Sequence, residues 1–176
     1  LTEIKLSENK LENLPEEFGN LSELTELNLE KNALTKLPAS VGGLTKLTKL
    51  NISQNKLTSI PNELGQLTLL EEINLSNNKI TKVTGNSINI PNVVNLDLSI
   101  NKISVFTANM GKLKKLETLD ASINTLTQMP TNIGYASNLK TVYLNRNKIQ
   151  RVDGTIYKLS KLEELDLSEN RIEKGD

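Results

Sequence analysis

Apolar residues return along this chain at a fixed interval. On a 23-residue ruler the repeats start at Leu1, Leu24, Leu47, Leu70, Val93, Leu116, Leu139 and Leu162, with no insertion or deletion. The fourth and sixth places of each repeat are apolar, as in Leu27 and Leu29, or Leu96 and Leu98. Residues two apart share one side of an extended strand. Places three, five and seven are mostly polar, so each repeat predicts one short strand with an apolar back and a wet front. A single repeat cannot bury its apolar side alone; stacking buries it against the next.

The ninth place is asparagine in every repeat: Asn9, Asn32, Asn55, Asn78, Asn101, Asn124, Asn147 and Asn170. Asparagine suits a turn because its amide bonds nearby backbone groups. Buried in a column, each amide needs partners on both its oxygen and its nitrogen. Backbone groups of neighbouring turns supply such partners, which makes this column a structural ladder. After the turn, Leu11 and Leu14 point back inward, and Pro15, Pro38, Pro61 and Pro130 end the extended stretch. The return path then carries an apolar residue followed by glycine: Phe18-Gly19, Val41-Gly42, Leu64-Gly65, Met110-Gly111 and Ile133-Gly134. These pairs predict short helical turns closed by glycine.

The pattern LxxLxLxxNxLxxLPxxφGxL, with φ apolar, resembles the leucine-rich repeat family along the whole chain. Its spacing and its LP and φG marks resemble the subtype of Ras-pathway scaffolds and of many bacterial and protist repeat proteins. The resemblance implies an α/β solenoid. This is a curved arc with a parallel β-sheet on the concave face and short helical or 3-10 turns and loops on the convex face. It also implies a protein partner on the concave face, with a small GTPase or a phosphatase subunit as the partner class. The expected setting is a cytoplasmic signalling scaffold; the alternative is an extracellular or secreted recognition or adhesion protein. The register begins at residue 1 and ends in an incomplete repeat at Lys174-Gly175-Asp176. Neither end reads as a polar cap, so residues 1–176 are expected to form one domain of about eight repeats cut from a longer protein.

Some repeats depart from the pattern. Repeat four reads Val83-Thr84-Gly85-Asn86-Ser87-Ile88, without proline and with Ser87 where an apolar residue is usual. Repeats five and seven carry Thr107 and Asp153 at the proline place. Repeat six has Ala121 and Ala136 at core places, predicting loose packing unless Met129 or Tyr135 fills the gap.

Composition narrows the chemistry. The 176 residues are 36% hydrophobic and 24% charged, with no cysteine and no histidine. Disulfides, the usual zinc sites, thiol nucleophiles and imidazole acid–base chemistry are therefore absent together. The absence of disulfide caps favours the intracellular setting. No apolar run reaches the ~18 residues of a membrane span, and no P-loop, GxSxG elbow or GxGxxG turn occurs. Asp97 and Asp120 share one place in adjacent repeats, ~5 Å apart by strand spacing. They have no third acidic ligand beside them, so neither a metal, a cofactor nor catalysis is expected. Net charge is zero, but residues 1–30 carry eight acids against two bases and residues 102–161 ten bases against three acids. No sustained basic stripe runs along the chain, so neither nucleic acid nor membrane is expected as a partner.

The candidate partner-binding residues are those that break the wet pattern. Place eight, read as exposed on the concave side, holds Ile100 and Ile123 in neighbouring repeats and Arg146 next. Place five holds Asp97, Asp120 and then Tyr143, the one aromatic at that place. An apolar patch with Tyr and Arg anchors and an acidic rim reads as an interface.

Overall fold

The structure, a computed structural model, describes residues 1–85 and 87–173. The expectations that fall on Asn86 and on Lys174-Gly175-Asp176 lie outside the described residues.

Among the described residues the strands are short. In chain order they are β1 (Glu3–Lys5), β2 (Glu26–Asn28), β3 (Lys49–Asn51), β4 (Glu72–Asn74), β5 (Lys82–Val83), β6 (Asn95–Asp97), β7 (Val105–Phe106), β8 (Thr118–Asp120), β9 (Thr141–Tyr143) and β10 (Glu164–Asp166). All but β5 and β7 pair in parallel as one eight-stranded sheet. Register partners sit one repeat apart, as Leu27 with Leu50 and Leu96 with Leu119. The constant repeat length fixes this register, because a one-residue slip would turn every leucine outward. The ladder runs past the strand ends: Leu29 N–H donates to Asn51 O at 2.8 Å and Lys31 N–H to Ser53 O at 3.0 Å. Behind the sheet lies one continuous core from Leu24 to Leu159, with Leu29, Ile52, Leu75 and Leu98 stacked without solvent contact. Each such side chain contributes about 2 kcal/mol by leaving water.

The convex side carries 3-10 turns at Glu16–Asn20, Ala39–Gly43, Asn62–Gln66, Met110–Lys112, Ile133–Tyr135 and Gly154–Lys158. Pro15, Pro38 and Pro61 immediately precede the first three in extended conformation. The glycines were expected to close these turns; instead they lie inside them. The closing residues are Leu21, Leu44 and their equivalents, at φ near −80° rather than left-handed. Close stacking supplies the reason for glycine. A Cβ on Gly19 would strike the Ser40 backbone carbonyl, and one on Gly134 the Thr155 carbonyl.

Two of the proline-free repeats, four and five, are explained by the N–H that proline lacks. Thr107 N–H donates to Val83 O at 2.9 Å, beside a second, two-stranded sheet of β5 with β7 that the repeat pattern did not predict. Thr84 N–H donates to Ser87 Oγ at 3.2 Å, while Ser87 Oγ donates back to Thr84 O at 2.8 Å. Ser87 is thus a buried turn former. Asp153 caps the following turn by accepting from Thr155 N–H at 2.7 Å. In repeat six, Met129 is buried in the same core as the small Ala121 and Ala136. Tyr135 stays outside against Lys158, whose ammonium lies 4.3 Å from its ring centre.

Candidate interaction surface

The asparagine column bridges successive repeats. Asn78 Oδ1 accepts from Leu57 N–H at 2.9 Å, and its Nδ2 donates to Ile52 O, Leu75 O and Ser76 O. Asn32, Asn55, Asn101, Asn124, Asn147 and Asn170 repeat the scheme, each reaching one repeat back. Asn9, in the first repeat, donates only within its own turn, to Leu6 O and Ser7 O.

Place five caps the same bend. Asp97 Oδ1 accepts from Ser99 N–H at 2.9 Å and Ser99 Oγ at 2.7 Å, and Asp120 Oδ1 from Ser122 N–H at 2.9 Å. Asn28, Asn51 and Asn74 do the same in repeats two to four. One oxygen of each aspartate is therefore held by its own turn, a role that hydrophobic patterning does not reveal. The recurrence of Asn or Asp at place five with Ser at place seven was its available signal.

Burial pushes the Asp120 carboxyl above its ordinary 3.8, and the Asp97 carboxylate beside it pushes the same way against the Ser122 hydrogen bonds. The charged form is disfavoured in the fold, so its cost is present above the raised value and fades as pH falls through it. Asp120→Asn keeps the capping oxygen, as in repeats two to four. It is expected to raise the thermal midpoint at about pH 7 and to leave it unchanged near pH 3. Equal gains at both pH values would rule out the charge effect.

The second row of candidates does not lie on the sheet. The strands end at place five, and place eight sits beyond them in a left-handed turn, with φ of 52° at Ile100, 51° at Ile123 and 55° at Arg146. The expectation that Ile100, Ile123 and Arg146 are concave positions is corrected accordingly: they line the rim where sheet meets turn. Residue type does not announce this bend, because Asn77 alone at that place is a residue suited to positive φ. Ile100 is 45% and Ile123 39% exposed.

Asp97, Asp120 and Tyr143 stay together on the concave floor, as register partners. Tyr143 donates its hydroxyl to the Glu164 carboxylate at 2.9 Å, and Arg146 Nε donates to Glu169 at 3.0 Å. The floor is hollow, about 500 Å³, with Glu3, Glu26, Glu72, Asp97 and Asp120 among its lining. Its two lysines are tied to its own acids, Lys5 to Glu3 at 2.6 Å and Lys49 to Glu72 at 3.7 Å. The floor is thus acidic, and it includes Asp97, Asp120 and Tyr143 but neither isoleucine. Among the described residues no group of three potential ligands is placed to hold a metal, and no helix is long and apolar enough to cross a membrane.

A stack of strand–turn units with an open parallel sheet is a repeat solenoid built to present surface. A family model described as a leucine-rich repeat region matches residues 1–92, and a leucine rich repeat model matches residues 115–172. The chain belongs to the leucine-rich repeat family, whose members generally act as protein-interaction modules. Among solved structures, a leucine-rich repeat protein of Leptospira interrogans is 37% identical with a TM-score of 0.86, over 96% of this chain and 43% of that one. The ectodomain of the Arabidopsis thaliana receptor kinase GASSHO1/SCHENGEN3, solved in complex with Casparian strip integrity factor 2, is 29% identical. Its TM-score is 0.77, over 97% of this chain and 24% of that one. The functional domain of InlJ from Listeria monocytogenes shares the fold at 24% identity and a TM-score of 0.68, over 100% and 41% of the two chains. The chain therefore spans less than half the length of each. No curated protein sequence matches it.

Proposed function

We propose that this chain is a non-enzymatic recognition module seating a protein partner across the concave edge at repeats five to seven. Ile100, Ile123 and Tyr143 are its apolar anchors, and Asp97, Asp120 and Arg146 its charged surround. The observation that carries this reading is the state of the two isoleucines. Left-handed backbone costs an L-residue ~1–2 kcal/mol, and a branched side chain there is rarer still. Ile100 is also 45% and Ile123 39% exposed, so burial accounts for only part of each side chain and backbone preference for neither in the isolated chain. A partner that covers them does.

Of the two settings expected from the sequence, extracellular or surface recognition has an observation on its side, the likeness to a receptor ectodomain solved in complex with its factor. The intracellular scaffold with a small GTPase or phosphatase subunit has only the family resemblance.

The test is a pair of opposed readouts. Ile100→Asn with Ile123→Asn is expected to stabilise the fold by about 1 kcal/mol, since asparagine tolerates this backbone better. The same variant should lose binding of the partner captured by the unaltered chain, by about tenfold or more. Ile123→Ser with Tyr143→Ala should weaken binding by about 2 kcal/mol, and Glu71→Ala on the opposite edge should not. Unchanged binding in both patch variants would move the interface elsewhere.

A further inference from the structure

The cations of this chain are scattered in sequence and gather only in the folded repeat. Place ten follows the asparagine, and its N–H donates to the place-eleven carbonyl one repeat back. Lys56 donates to Leu34 O, Lys79 to Leu57 O, Lys102 to Ile80 O and Lys148 to Leu126 O, at 2.8–2.9 Å. A continuous ladder therefore sets Lys56, Lys79 and Lys102 off one edge at the strand spacing of ~4.8 Å, with Thr125 standing between Lys102 and Lys148. Lys31 and Arg146 at place eight, with Lys36, Lys82 and Arg151 at place thirteen, flank the column, and all are exposed.

From repeat two to repeat seven, places eight to fourteen contain no acid. Acids close the band at both ends: Glu8 and Glu12 in repeat one, Glu169 and Glu173 in repeat eight. Of the band's cations, Lys31 pairs with Glu8 and Arg146 with Glu169; the others enter no ion pair among the described residues. Elsewhere Lys5, Lys46, Lys49 and Lys140 are paired with acids, while the Lys112, Lys114 and Lys115 group enters no ion pair among the described residues. The result is a basic rim ~24 Å long beside an acidic concave floor, interrupted in repeat six, where places eight to fourteen hold no cation.

Between the cations the rim carries amides and hydroxyls, among them Thr58, Thr81, Ser104, Thr125 and Gln54, whose amide donates to Glu30, together with the exposed Ile100 and Ile123. In repeats six and seven it opens into a recess of about 430 Å³ lined by Thr127, Gln128, Thr131, Gln150, Arg151 and Asp153 among others. That volume suits a small-molecule-sized group with several hydrogen-bonding partners. Bases of a single nucleic acid strand stack on exposed aromatic rings, and the only aromatic in the band, Phe106, is buried. Hydroxyl-bearing rings joined in a line and carrying anionic groups match both the cation column and the polar recess.

We propose that this rim is a second binding surface, for a linear sulfated polysaccharide lying along the axis of the repeat stack. It adjoins the protein-binding patch, with which it shares Arg146 and the place-eight row of Ile100 and Ile123. The acidic floor repels the polyanion, which keeps it at the edge. The rim deepens no part of the protein-partner reading and stands if that reading fails.

Size-defined heparin is the probe, titrated into the whole chain by calorimetry at low and raised salt. The expected result is binding that weakens steeply with salt, and at least an about tenfold loss in the triple variant Lys56→Gln/Lys79→Gln/Lys102→Gln. Lys46→Gln/Lys140→Gln, which removes two cations from the other edge, should change affinity less than about twofold. Arg151→Gln should weaken heparin while leaving the unfolding midpoint in place. Ile100→Asn/Ile123→Asn should leave heparin binding intact. Equal losses in the triple variant and the other-edge control would overturn the rim assignment. So would the absence of heparin binding at low salt. Tighter binding of a single-stranded oligonucleotide, or of anionic lipid vesicles, than of heparin would overturn the polysaccharide.

Discussion

Asn78→Leu is expected to lower the unfolding free energy by about 3 kcal/mol, read as a shift of the chemical denaturation midpoint. The side chain is nearly solvent-free and serves four backbone groups: Leu57 N–H, Ile52 O, Leu75 O and Ser76 O. Leucine fills much of the space but pairs with none of them, so a buried donor and several acceptors lose their partners at once. Losing such groups costs ~1–3 kcal/mol each when water cannot reach them, with partial relaxation reducing the sum. Asn9→Leu provides the internal scale. Asn9 is exposed and bonds only within its own turn, so its replacement should cost well under about 1 kcal/mol. Similar shifts at both positions would mean that the column owes its regularity to something other than inter-repeat pairing.

Gly134→Ala should cost about 2–3 kcal/mol by overpacking. The methyl would meet the Thr155 carbonyl oxygen, its carbon and the Thr155 side chain, and Gly134 N–H already donates to Thr155 Oγ1 at 3.1 Å. Backbone of the next repeat cannot rotate away as a flexible side chain can. Gly154→Ala is the matched control, because nothing lies within 4 Å of a Cβ built there. It should be neutral or mildly stabilising through the unfolded chain. If Gly134→Ala were as well tolerated as Gly154→Ala, close stacking would not be the reason for glycine.

Much of this architecture was legible because period and register are the same thing in a stack. Leu27, Leu50 and Ile73 line up in space because they line up on the ruler. The asparagine column was legible for the same reason. What escaped the sequence depends on backbone conformation, which apolar periodicity does not report. Place eight alternates among Glu, Lys, Gln, Asn, Ile and Arg, so nothing in its composition announced a left-handed turn. The β5–β7 pair escaped because Lys82-Val83 and Val105-Phe106 are too short to show alternation. The φG pairs fall in the turns, but for a different reason, since a helix-closing glycine and a closely stacked one look alike in one dimension. At the candidate surface, sequence groups Asp97, Asp120 and Tyr143 as the structure does, and sets the isoleucines one bend away from where they lie.

The direction of the asparagine bridges has a consequence for synthesis. From Asn32 onward each amide satisfies backbone of the repeat made before it: Asn32 serves Leu11 N–H and Leu6 O, and Asn170 serves Ile149 N–H and Leu144 O. A repeat leaving the ribosome therefore has an open donor at place eleven until its successor emerges. Completion runs one step behind translation, and every new turn locks the previous one. Hydrogen exchange on stalled nascent chains would show this lag as amides at place eleven that become protected only when the following asparagine is clear of the exit tunnel.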